Sequence, residues 1–185
     1  MQVFLPYKDF VLSVQSLDPT RLGNQIYREA KTLLAGGWKN HPCAKMWSEY
    51  KPALAVYCMC GLAELSRRGK DYTKHCDFFK TFLKPQIDMP PWLGNEKLHE
   101  SHRRALLLKG ILDATFLRGK ILSGYPALKR DWTPQIYRRY WQEYGQPPLC
   151  ETWYGKLGWL DKPLELNDLG KFEYYWPTHK ITSIL

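Results

Sequence analysis

The feature that most constrains the fold is the chain's punctuation. Helix-starting residues stand ahead of apolar residues at helical spacing, and apolar and polar residues almost never alternate. Asp9 can accept backbone N–H groups at the start of a short helix reaching Ser16. Asp18-Pro19 joins a capping carboxylate to a first-turn proline and predicts a second helix. That helix runs to Ala35 and stops at Gly36-Gly37. Leu22, Ile26, Ala30, Leu33 and Leu34 form its apolar stripe, with Arg21, Asn24, Gln25, Arg28 and Thr32 on the other face. His41-Pro42 predicts a long third helix to about Arg68, with Pro52 kinking it or opening a new segment. A fourth is predicted over residues 73–83, a proline-rich loop over 84–94, and a fifth from an Asn95 cap to about Lys109. Residues 112–118 and 134–144 also read as helix, and only residues 2–5 alternate like a strand. The expectation is a mainly α, compact single-domain helical fold over residues 1–185. Its core is 1–110 and 171–185, with an aromatic-rich insertion over about 111–170.

At 185 residues such a chain buries a real core. A formal charge of +9 and a pI near 9.3 favour phosphate-rich partners. The five Cys are odd in number and contain no CxxC pair, which fits reduced thiols better than a disulfide or zinc framework. No stretch is long and apolar enough to span a membrane, and the N-terminus lacks a leader pattern, so a cytoplasmic protein is expected. There is no P-loop, GxGxxG after a strand, GxSxG or HExxH, which argues against nucleotide motors, dinucleotide enzymes, serine hydrolases and zincins.

Four polar motifs carry candidate chemistry: RLGNQIYRE at 21–29, GWKNHP at 37–42, PPWLG at 90–94 and HESHRR at 99–104. Glu29 sits where a polar face meets the apolar stripe, beside Arg28. A carboxylate there can act as a base, an acid or a cation stabiliser, or it can form a structural ion pair with a neighbouring helix. Arg21, Asn24, Gln25 and Arg28 offer guanidinium and amide groups suited to phosphates and base edges, or a solvated face. Gly23 among them suggests close backbone approach. Asn40 and His41 stand at a helix start, where they can meet an anion or cap the helix. Trp38, Trp47 and Trp92 can stack a base or fill the core. His99, His102 and Arg103 share a helical face, fit for phosphate or base contact or for a structural cluster. No third ligand accompanies the two histidines, so neither metal nor cofactor is expected. The C-terminal third interleaves aromatics such as Trp132, Tyr137, Tyr140 and Trp141 with Arg138 and Arg139, for base stacking or for packing.

The motifs FLPYKDF, LDPTRLGNQ, GWKNHP, MWSEY, PPWLG with LHESHRRALL, and YYWP occur in that order. Together they resemble a bacterial and phage family grouped with the pyrimidine-dimer DNA glycosylases of the phage endonuclease V type. The likeness covers residues 1 to about 109 and resumes at about 174–177. It implies a small helical, metal-independent enzyme in which an N-terminal amine attacks the sugar C1′, aided by an early-helix glutamate. Glu29 matches that glutamate and Arg28 its neighbouring arginine. Residue 2 is Gln, which normally blocks removal of the initiator, so the implied amine is that of Met1.

The function expected is a DNA glycosylase that flips and excises a damaged or modified base from double-stranded DNA. The base is a pyrimidine dimer, for DNA repair, or a bulky modified pyrimidine of phage DNA, for phage defence. Glu29, Met1 and Arg28 carry the catalysis. Arg21, Asn24, Gln25, Trp38, Asn40, His41, Trp47, Trp92, His99, His102 and Arg103 hold DNA and base. A non-catalytic nucleic-acid-binding module and an enzyme acting on free modified nucleotides are the alternatives.

Overall fold

The computed structural model describes residues 2–118, 153–159 and 174–177. Met1, the expected helix at 134–144 and most of the expected insertion lie outside the described residues. Every regular element among the described residues is helical, as the caps and stripes require. No helix among them is long and apolar enough to cross a membrane. The chain divides into two compact units, residues 1–100 with 175–185 and residues 101–174.

The first unit opens on an extended segment, Gln2 to Leu5, whose four residues are all buried. It forms no strand ladder, so the expected alternation yields a threaded segment instead. Helix α1 (Phe10–Ser16) follows, with Asp9 accepting from the Leu12 N–H. A continuous helical stretch then runs through α2 (Pro19–Asn24), a π-helical segment (Gln25–Ala30) and α3 (Lys31–Leu34). Asp18 caps it through the Arg21 N–H. Gly36 ends it at φ 82°, where the N–H groups of Gly36 and Gly37 satisfy the carbonyls of Leu33 and Thr32. The predicted stripe of Leu22, Ile26, Ala30, Leu33 and Leu34 is buried.

The long third helix is two. Helix α4 (Pro42–Trp47) stops at a short turn, and α5 (Lys51–Arg67) begins anew with Pro52 in its first turn. Helix α5 is the central element, with Ala53, Leu54, Tyr57, Cys58, Leu62 and Leu65 all buried. Gly61 is where it meets the π segment. A Cβ at Gly61 would lie 2.3 Å from Ile26 Cδ1 and 2.7 Å from its Cγ1, so only glycine allows this approach.

The C-terminal end of α5 is clamped by charge. Glu64, almost fully buried, accepts from Arg67 at 2.7 and 2.8 Å and from Arg68 Nε at 2.6 Å. Arg68 also donates to the carbonyls of Leu17 and Gln15, tying α5 to the α1–α2 corner. The Arg67 hydrogen bonds above all, and those of Arg68 after burial opposes them, hold the Glu64 carboxyl below its usual range.

The fourth helix is shorter than expected, a 3₁₀ turn (Thr73–His75) leading into α6 (Cys76–Lys80). Asn95 caps the next helix through the Lys97 N–H. That helix, α7 (Glu96–Arg118), does not stop near Lys109; Gly110 is accommodated inside it, so 112–118 is its last part rather than a separate helix.

In the second unit Ala105, Leu106 and Leu107 of α7 are buried. His102 is fully buried and meets Tyr174 edge-on at 5.9 Å. Tyr154 is buried and stacked on Trp159, beside a 3₁₀ turn (Gly155–Leu157).

Candidate active site

The π-helical segment carries the central candidate. A π turn is wider than an α turn and is found mostly as a short local feature, frequently at functional sites. Here it spans Gln25–Ala30 and includes Arg28 and Glu29. Glu29 is half-buried and makes no hydrogen bond or ion pair among the described residues. The competing reading of Glu29, an ion pair to a neighbouring helix, has no counterpart there. Its neighbour Arg28 is exposed. Tyr27, on the same segment, packs on Tyr72 and His75 with ring centroids 4.6 and 4.5 Å apart. Its hydroxyl is buried without a partner among the described residues, and burial, then Tyr72, holds the phenol well above its usual range.

The buried N-terminal segment is fixed by side chains from three other parts of the first unit. Phe4 N–H donates to Gln25 Oε1 at 2.7 Å, and Tyr57 Oη donates to the Phe4 carbonyl at 3.0 Å. His99 Nδ1 donates to the Leu5 carbonyl at 2.8 Å, while its Nε2 accepts from Gly94 N–H at 3.0 Å. The Gly94 bond decides the tautomer, because Nε2 must be the acceptor. His99 thus holds both the N-terminal segment and the end of the PPWLG loop. Phe4 and Leu5 are thus tied to three separate elements by their backbone groups.

A second group lies around His41. Its Nδ1 accepts from Cys43 N–H at 3.1 Å, capping α4. Trp38 lies 6.5 Å from it at 86°, and Trp176 lies 5.7 Å from it at 90°, so two indoles meet the imidazole edge-on. Trp38 is 63% exposed and has a φ of 57°, a left-handed conformation rare for a bulky residue. Such local strain clusters at ligand-contacting sites.

Electrostatics link this group to Glu29. Burial lowers the His41 pKa, the N-terminal amine lowers it further, and Glu29 opposes them. Burial pushes the Cys43 thiol up to about 12, with the Val3 backbone N–H and the amine acting downward and Glu29 upward. His41 and Cys43 therefore feel both Glu29 and the chain's amino-terminal charge. A thiol so raised stays protonated and is no nucleophile.

The other expected site residues fall elsewhere. Arg21 pairs with Asp18 at 2.6 Å. Asn24 and Asn40 are exposed, and Gln25 is buried on Phe4. Trp47 and Trp92 are buried against one another, T-shaped at 4.9 Å, with both indole N–H groups lacking an acceptor among the described residues. His102 is buried and Arg103 half-buried, both in the second unit. A Cβ at Gly23 would meet nothing within 4 Å, so no helix among the described residues makes the close approach that the sequence suggests there. The sequence did not mark out Tyr57, Cys43 or Trp176. Tyr57 reads as one more apolar position of a buried helix, and nothing local in its sequence shows that its hydroxyl reaches Phe4.

A family model described as pyrimidine dimer DNA glycosylase matches residues 1–80. This part of the chain is similar to that family. The matched stretch contains Gln25, Arg28, Glu29, Trp38, His41, Cys43 and Tyr57, while Trp92, His99 and Trp176 lie beyond it. No curated protein matches the chain, and no solved structure does.

Proposed function

We propose that the protein is a DNA glycosylase that excises a pyrimidine lesion from double-stranded DNA, with Glu29 as its catalytic carboxylate. The observation that carries this reading is Glu29 itself. It is half-buried, lies on a π-helical segment, is unpaired among the described residues, and acts electrostatically on His41 and Cys43 together with the N-terminal charge. The glycosylase family match over the same stretch supports it.

The chemistry follows from charge. Breaking an N-glycosidic bond builds positive charge on the sugar, and a carboxylate beside C1′ stabilises it. Glu29 also takes the proton of the attacking nucleophile, which is the Met1 amine or a water. The target base must first leave the stack. Trp38, exposed and rigidly displayed, stacks on the DNA bases at the opening. Arg28 is exposed beside Glu29 and holds a phosphate. Asn24 and Asn40 are exposed donors for backbone or base, and Arg103, on the second unit, is by itself a candidate phosphate contact. Gln25, Trp47, Trp92, His99 and Arg21 act through the scaffold that sets these groups, as does buried His102.

The test is release of abasic sites from ultraviolet-irradiated, unmodified and glucosylated phage DNA, read with an aldehyde-reactive probe. Signal on irradiated DNA alone gives repair of pyrimidine dimers. Signal on phage DNA alone gives a defence enzyme. Borohydride trapping of a protein–DNA adduct identifies the amine as nucleophile. Tight binding without any base release overturns the catalytic reading.

A further inference from the structure

The mechanism above leaves the departing base without a partner. Excision puts negative charge on the pyrimidine as positive charge grows on the sugar, and a donor aimed at that charge lowers the barrier. His41 has the properties such a donor needs. Its Nδ1 accepts the Cys43 N–H, so the ring's proton is on Nε2. Nε2 makes no hydrogen bond among the described residues. The ring is half-buried and meets the indoles of Trp38 and Trp176 edge-on, aromatic neighbours of the kind on which a base can stack. Glu29 and the N-terminal amine are the charged groups that act on it.

We infer that His41 is a catalytic residue that donates a hydrogen bond from Nε2 to the O2 carbonyl of the departing pyrimidine. The inference rests on the glycosylase reading. The C1′–N1 bond breaks and its electron pair stays on the base, spread onto O2, where the His41 N–H meets it. C1′ gains a bond from the amine or water, whose proton passes to Glu29. The base anion then takes a proton from water, the proton on Glu29 neutralises the hydroxide so formed, and His41 ends the step neutral as it began. A neutral imidazole suits the role, because an imidazolium would lose the Nδ1 acceptor that caps α4 and would set a second positive charge beside the growing sugar cation.

The cap gives the test its discrimination. Serine and asparagine are good N-caps, so His41→Ser and His41→Asn keep the Cys43 N–H satisfied, and Ser removes the imidazole donor outright. Single-turnover abasic-site formation on ultraviolet-irradiated duplex is measured for both variants, alongside KM, duplex affinity and thermal unfolding. His41→Ser is expected to lose about 100-fold in kcat, the scale for one transition-state donor, with KM and affinity within about twofold of the parent. His41→Asn, which retains a shorter amide donor, is expected to fall between. Parental kcat in His41→Ser overturns the inference and shows that His41 only caps the helix. Loss of kcat that tracks a lowered Tm equally in both variants overturns it too. No abasic-site formation by the parent protein would instead overturn the glycosylase reading on which it stands.

Discussion

Truncating Gln25 to alanine tests how the N-terminal segment is held. Gln25 is 4% exposed, and its Oε1 accepts the Phe4 N–H at 2.7 Å. Gln25→Ala removes that acceptor and puts an apolar methyl group in its place. Orphaning a buried amide costs about 1–3 kcal/mol. The lost side-chain volume adds to it, for a total of about 2–4 kcal/mol. In a unit of this size 1 kcal/mol moves Tm by about 4–8 °C, so a drop of about 10–20 °C is expected. Tyr57→Phe removes only the bond to the Phe4 carbonyl and is expected to cost about 1 kcal/mol. Both groups hold one residue, so the double variant should fall short of the sum. Once either bond is lost the segment frays and the other is worth less. Circular-dichroism melts and urea titrations of the four proteins give the cycle. Base release should fall in Gln25→Ala even at temperatures where it stays folded, because the amine is no longer fixed. A Tm within about 2 °C of the parent, or strict additivity, would refute the claim that these side chains jointly fix the N-terminus.

Gly61→Ala sets a Cβ 2.3 Å from Ile26 Cδ1 and should destabilise by about 1–3 kcal/mol, measured by urea unfolding, while pushing the π segment and lowering base release. Glu64, with its pKa held down, binds fewer protons folded than unfolded near pH 4; its share of stability is present above the ordinary glutamate range and is lost as pH falls through its lowered pKa. A Glu64→Gln variant should therefore show a flatter acid limb in Tm against pH, and an unchanged limb would contradict the clamp. Trp38→Gly removes an exposed indole at φ 57° and should leave stability equal or raise it by about 1 kcal/mol, by thermal melts. The same change should weaken DNA binding by about 1–3 kcal/mol in fluorescence titrations.

Much of the helical order was legible because it is written locally. Asp9, Asp18-Pro19, Gly36 and Asn95 each sit at a boundary of the structure. The π segment was not legible, since Leu22, Ile26 and Ala30 keep the spacing an α-helix would show and the wider turn is set by tertiary packing against Gly61. Pro52 permitted both a kink and a new helix, and the turn after Trp47 decides for the latter. Gln25 and His99 read as ligand-facing polar residues because sequence does not tell a buried side chain serving backbone from one serving a ligand. Both are committed to the N-terminal segment. Conversely, Trp38 looked like Trp47 and Trp92 in the sequence. Its positive φ, set by the turn after Gly36-Gly37, is what keeps it out of the core.

The proposed function requires that Glu29 does chemistry rather than hold the fold. The most direct measurement compares the parent and Glu29→Gln for abasic-site formation on ultraviolet-irradiated duplex, with binding and Tm measured on the same samples. The account predicts that base release is lost while affinity and Tm stay at parental values, because Glu29 has no ion pair among the described residues to lose. Undiminished base release by Glu29→Gln would contradict it.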